Sequence, residues 1–293
     1  MKKIITTSMV LLIAAVVVAV ERTQLQESPA TQQQKMAAAK ANLPLEKTIA
    51  LGNDVTMVFV FIPAGEFEMG SPKSEKKRDK DEGPVHHVKI SKPFYMGKYE
   101  VTQIQYQTIF HSTEKIFYSK DFNNPADRVS FNQANRFAEE LSLLYRKTGL
   151  RFRLPTEAEW EYACRAGTTT PFYTGETINS EQANYDATAV YGNGVKGKYM
   201  ERAVAVGSYP PNPFGLYDMH GNVWEWCRDR YIKYFYQDSP AVDPMAGGDE
   251  PIRRGGAWDS EPEDCRSANR DCRKSWRHMD DTGFRIVLEI EQK

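Results

Sequence analysis

The chain has little of the equipment by which common catalytic sites announce themselves. Its five histidines, at 86, 87, 111, 220 and 278, are too scattered for a zinc-type pair, and neither a Walker phosphate loop nor a nucleophile elbow occurs. An excess of charge is missing as well. With 38 basic against 39 acidic residues, the net charge of −1 makes no field that would gather nucleic acid or an anionic membrane, so nucleic acid is not an expected partner. Cysteine is scarce, at four residues: Cys164, Cys227, Cys265 and Cys272.

Only one long apolar run is present. Lys2 and Lys3 precede Ile4 to Val20, with the small Ala19 two positions after Val17, which matches a secretory signal cleaved after residue 19. The alternative is an uncleaved anchor, because the run's 17 residues sit at the short limit for spanning a bilayer. Either way the rest of the chain is expected outside the cytoplasm, periplasmic or secreted, with a membrane contact only if the signal is retained. In an oxidising compartment four cysteines permit two disulfides, in any of three connectivities, with free buried thiols as the alternative.

Residues 20–44 are rich in Gln, Ala, Lys and Thr, and read as a flexible linker ahead of a domain over 45–291. Met57 to Pro63 reads as a buried strand that turns at Ala64-Gly65 into a hairpin with Phe67–Gly70, and Val85 to Ile90 as a further short strand. Thr102 can cap a helix through Tyr106 and Phe110. Ser130 with Gln133, and Thr156 with Glu159, form capping-box spacings ahead of apolar periodic segments, and Gly149 stands where the first of these would stop. Beyond Gly167 no helical period survives, and Gly, Pro, Asn and Tyr punctuate every few residues. Together these predict a single α+β domain with a loop-rich second half.

Three segments carry candidate chemistry. Gly192-Asn193-Gly194-Val195-Lys196-Gly197 has the dinucleotide glycine spacing but neither follows a strand nor opens a helix. In Gly215 to Trp226, Asp218 and Glu225 bracket a glycine turn as two hard oxygen ligands, suited to calcium or equally to a structural turn around Trp224 and Trp226. Gly255-Gly256-Ala257-Trp258, followed by Cys265-Arg266, combines a tight backbone, an aromatic anchor, a thiol and a cation, which suits a redox site or a ligand-facing loop.

Four stretches taken together, Pro63 to Gly70, Arg153 to Ala163, Gly215 to Trp226, and Arg254-Gly255-Gly256 to Gly283-Phe284-Arg285, resemble the sulfatase-modifying-factor family, over about Leu51 to Leu288. The resemblance implies a C-type-lectin-like fold poor in regular elements. In the family's formylglycine-generating enzyme, two cysteines five residues apart bind copper(I) and use oxygen to convert a sulfatase cysteine to formylglycine. Counted from Gly255, the second falls on Cys265 and the first on Ser260. A hydroxyl is a poor copper(I) ligand beside a thiolate, so this resemblance points to a non-oxidase member, with the copper oxidase acting on an exported sulfatase as the alternative. It also implies a calcium site of Asp218, the carbonyls of Gly221 and Val223, and Glu225. A second family calcium site would fall on Asn184, the Tyr185 carbonyl and Lys198, whose ammonium should repel the ion. The non-oxidase expectation is a loop-built face of Trp258, Arg266, Arg270, Trp276 and Arg285 that holds a protein, peptide or glycan.

Overall fold

The computed structural model describes residues 27–111, 117–118 and 121–290. The chain opens with a helix, α1 (Pro29–Ala41), started by Ser28, whose Oγ accepts the Thr31 N–H at 3.1 Å, and stopped by Asn42 in a left-handed conformation. Over 29–41 this helix stands where a flexible linker was expected. Its anchor is polar rather than greasy: buried Gln34 donates to the carbonyls of Phe61 (2.7 Å) and Phe214 (2.9 Å), and Thr31 donates to that of Pro213. Composition hid it, because the docked face uses alanines and one glutamine. The expected signal segment lies outside the described residues.

Strands β1 (Glu46–Gly52) and β2 (Val55–Ile62) form an antiparallel hairpin through Asn53 and Asp54, both at positive φ, the combination that matches strand twist in a two-residue turn. The hairpin expected between β2 and the Phe67 segment does not form. Both edges of β2 are taken, by β1 and by β5 (Phe94–Gly97), so β3 (Gly65–Met69) turns away and pairs with β4 (His86–Ile90). The capping-box helices form as read: α2 (Gln103–Phe110), α3 (Phe131–Leu144) and, after the short β6 (Phe152–Arg153), α4 (Glu157–Arg165).

The five-stranded sheet runs β1-β2-β5-β11-β6, with β11 (Val287–Glu289) threaded between β5 and β6. Both its faces are covered. Along β2, Phe59 and Phe61 join the core under α2 and α3, with Phe137, Phe284 and Leu288, while Val60 and Ile62 join the core under α4, with Met96, Trp160 and Val287. Side chains alternate across a strand, so an uninterrupted apolar run is what a doubly covered strand requires.

The second half builds a four-stranded sheet, β10-β7-β8-β9, from β7 (Trp224–Arg230), β8 (Pro251–Arg254), β9 (Asp271–Cys272) and β10 (Thr282–Gly283). Between α4 and β7 no regular strand or helix occurs. Side-chain hubs take the place of backbone ladders there. Buried Asn212 donates to the carbonyls of Ala163 and Cys164 and accepts from the N–H groups of Phe214 and Leu216. Such hubs satisfy backbone groups that no ladder serves.

Candidate functional site

A polar cleft of about 270 Å³ opens where the loop after the glycine pair crosses the second sheet. Ser260, Asp259 and Asp264 line it with Trp224, Arg253 and Asp281. Arg253 lies 4.6 Å over the Trp224 ring and donates to Asp271 (2.5 Å), Asp281 (3.1 Å) and Thr282 (2.6 Å), so this cation is already shared among acids. Burial raises the carboxyl of Asp259, with Asp281 adding to it, and raises Asp264 to about 6, with Glu263 adding.

The glycine pair is dictated by contact. Gly255 and Gly256 have φ of 99° and 73°, and a Cβ on Gly256 would meet the Cys265 sulfur at 2.5 Å. The sulfur is thereby pressed onto backbone and enclosed with Phe172, Ile178, Tyr185 and Tyr191. Its thiol donates to the Glu261 carbonyl at 3.8 Å, and burial pushes its pKa well up, helped by the charges of Asp264 and Asp259. Ser260 accepts the Ala257 N–H on its hydroxyl at 3.0 Å, and its own N–H donates to the Ala257 carbonyl. Cys265 and Ser260 thus share one loop, with the hydroxyl tied to backbone and the thiol held neutral.

The expected disulfides do not form, and all four cysteines are free. Cys164 and Cys227 lie in the core under α4, Cys265 in a separate aromatic cluster, and Cys272 on β9, its thiol 3.7 Å from Glu250. Cys265 and Cys272 are thus set apart from the other two by packing, while Cys164 and Cys227 share one core without bonding.

The expected ligand face is corrected for most of its members. Arg266 is fully buried and forks onto Glu82 (2.6 and 2.7 Å) with a third bond to Glu75. Arg270 forks onto Glu157 at 2.7 and 2.8 Å, and Arg285 onto Glu225 at 2.7 and 2.6 Å. Trp258 is 8% exposed, stacked between Tyr118 and Tyr199, with its N–H donated to the Asp280 carbonyl. Trp276 alone, 60% exposed, remains available. The loop-rich half needs cations inside to satisfy its buried acids, so the arginines turn inward.

Asp218, itself at a φ of 57°, accepts the Gly207 N–H on Oδ2 at 2.7 Å, whereas its Oδ1 is buried without a partner. Glu225 accepts from Arg285 on both oxygens and from the Trp160 indole at 2.8 Å. Glu100, which sequence reasoning missed, is buried beside them and accepts from Asn222 (2.8 Å) and the Val223 N–H (3.2 Å). Three carboxylates therefore face one guanidinium. Burial raises Asp218 to about 6, and burial followed by the charges of Asp218 and Glu225 puts Glu100 well above the carboxylate range.

A model of the sulfatase-modifying factor enzyme 1-like domain matches residues 52–290. The chain belongs to this family. Among its relatives, the serine/threonine-protein kinase pkn1 of Chlamydia pneumoniae is 32% identical over 251 residues, which are 79% of this chain but 38% of that protein, so the chain spans well under half of this relative. The formylglycine-generating enzyme of Streptomyces coelicolor is 28% identical over 255 residues, 68% of this chain and 78% of the enzyme. The solved structure of PvdO from Pseudomonas aeruginosa matches at a TM-score of 0.70 and 30% identity, over 83% of this chain and 98% of PvdO. The fold is that of this family, lectin-like and loop-rich, as its sequence motifs indicated.

The family's two metals fare differently against the residues present. Copper(I) does not fit: it needs a pair of soft thiolates, and here one buried, neutral thiol shares its loop with a backbone-tied hydroxyl, with Cys272 on another strand. Calcium fits in donor chemistry. The buried, unpartnered Asp218 oxygen is what a hard cation would satisfy, beside a Glu225 that already answers Arg285 and Trp160. Glu100, which sequence reading missed, lies outside the four family stretches, and only its burial beside Asp218 and Glu225 reveals it.

Proposed function

We propose that this protein is an exported, non-oxidase member of the sulfatase-modifying factor family, a ligand-binding module whose working surface is the polar cleft at Ser260. The observation that carries this reading is the state of Cys265: a sole thiol, enclosed and protonated, beside a hydroxyl already engaged with backbone. A thiolate is the form that binds copper(I) and attacks, and desolvation removes it. The cleft itself remains open, polar and lined by Asp259, Asp264 and Arg253, which suits a polar segment of a protein, peptide or glycan.

Asp218, the carbonyls of Gly221 and Val223, and Glu225 would hold calcium in this reading, with Glu225 also bound to Arg285. The ion would supply positive charge to the buried carboxylates and so brace the turn that carries β7; it has no part in the cleft. The Arg285 fork keeps Glu225 oriented, and the Gly207 N–H does the same for Asp218.

The decisive experiment titrates the reduced protein with copper(I) and assays a peptide bearing the Cys-x-Pro-x-Arg sulfatase motif. We expect neither stoichiometric tight binding nor aldehyde formation, while Ser260→Cys gains copper affinity by restoring a second sulfur. Aldehyde formation by the natural chain would establish the oxidase instead.

A further inference from the structure

The Gly192-Asn193-Gly194 motif, which matches no nucleotide-binding context, has a place in the fold. Its Gly192 and Asn193 form one wall of a half-open cavity of about 440 Å³ between three loops, 72–76, 169–177 and 191–193. That volume falls in the range of small-molecule clefts, about 300–1,000 Å³. The walls are tied to one another rather than left to drift. The Tyr191 hydroxyl donates to the Lys76 carbonyl at 2.7 Å, Thr177 donates to the Tyr191 carbonyl at 3.0 Å, and Arg165 donates to the Thr170 carbonyl at 3.2 Å. The cavity is therefore shaped before anything enters it.

Its chemistry is lopsided. On the inner side Glu75 gives one oxygen to Arg266 at 2.7 Å, but the same guanidinium makes two bonds to Glu82, so one cation serves two carboxylates. The second oxygen of Glu75 has no hydrogen-bond partner among the described residues. Burial lifts the Glu75 carboxyl above its ordinary range, against the Arg266 bond. At the rim the Glu176 carboxylate, the Lys76 ammonium, and the side chains of Thr169 and Asn193 also line the cavity without a hydrogen bond or ion pair to a described residue. Two carboxylates thus face a space that holds one lysine, one amide and the hydroxyls of Ser74 and Thr169, with Pro72 and Pro171 as apolar wall.

The geometry points to a binding site for an amino sugar. An ammonium answers the surplus carboxylate charge of Glu75 and Glu176, ring hydroxyls answer Ser74, Thr169, Asn193 and Lys76, and a sugar's C–H face suits the proline-lined wall. A neutral sugar leaves a carboxylate unanswered, and a plain aliphatic amine leaves the hydroxyls and amide unused; each unmet group weakens binding. This cavity is distinct from the Ser260 cleft, so the proposal stands or falls independently of whether the chain oxidises anything.

The test is calorimetric titration of the full chain with the free-amine glucosamine disaccharide, its N,N′-diacetylated form, and spermidine, near pH 6. The free amine is expected to bind about tenfold or more tightly than either comparison, the scale of one charge-assisted hydrogen bond. Glu176→Gln should weaken it by a similar factor without moving the urea unfolding curve, because Glu176 has no structural partner. Asn193→Ala should weaken the sugar but not spermidine. No heat with the free-amine disaccharide, equal affinity for the acetylated form or for spermidine, or an unaltered affinity in Glu176→Gln would each overturn the assignment.

Discussion

Removing the charge of Asp218 should change how stability responds to pH. Burial holds its carboxyl at about 6 against an ordinary 3.8, the Gly207 N–H and Arg285 opposing and Glu225 reinforcing the shift. The folded chain therefore grips this proton more tightly than the unfolded chain does. Stability tied to it is complete below pH 3.8, falls as the pH climbs toward 6, and is flat above. About two pK units correspond to roughly 3 kcal/mol. Asp218→Asn keeps an acceptor for Gly207, tolerates the left-handed backbone, and abolishes the titration. Urea unfolding of both proteins in chelator, from pH 4 to 7.5, should show the natural chain losing about 3 kcal/mol relative to the variant across that window. Other raised acids, such as Asp229 at about 7, are common to both and cancel in the difference. Glu100 does not cancel fully, because it feels the Asp218 charge, so the measured step belongs to the pair. Calcium at 100 times its dissociation constant should restore about 2.7 kcal/mol above pH 6 in the natural chain by mass action. A difference curve that is level, or that slopes the other way, would refute the reasoning.

Two further outcomes follow from packing. Gly256→Ala should destabilise by about 2 kcal/mol or more in urea unfolding, since its Cβ would overlap the Cys265 sulfur at 2.5 Å and its φ is 73°. In the native protein a thiol reagent should label Cys272 slowly, its pKa being lifted to about 11 by burial and nearby Asp271, and should leave Cys164, Cys227 and Cys265 untouched until denaturant is added; mass spectrometry of the labelled peptides reads this directly.

What could be read from the chain depended on how local the cause was. Thr102, Ser130 and Thr156 each satisfy helix donors within three residues, so their helices were visible in the spelling alone. The four family stretches carried the family and its lectin-like fold. The pairing of β3 was not visible, because it depends on β1 and β5 having already claimed both edges of β2. Nor was the fate of Arg266, Arg270 and Arg285. Their partners Glu82, Glu157 and Glu225 lie far along the chain, and an arginine beside a tryptophan reads the same whether it faces solvent or a buried carboxylate.

The threading of β11 between β5 and β6 bears on how the molecule comes into being. Met96 must wait for Val287, and Phe152 for Leu288, before either half of the central layer is sealed. Folding so dependent on distant partners is intrinsically slow. A growing chain leaves one edge of β5 open, and β6 unpaired, until β11 has emerged more than 130 residues after β6, so removal of β11 would split the first sheet.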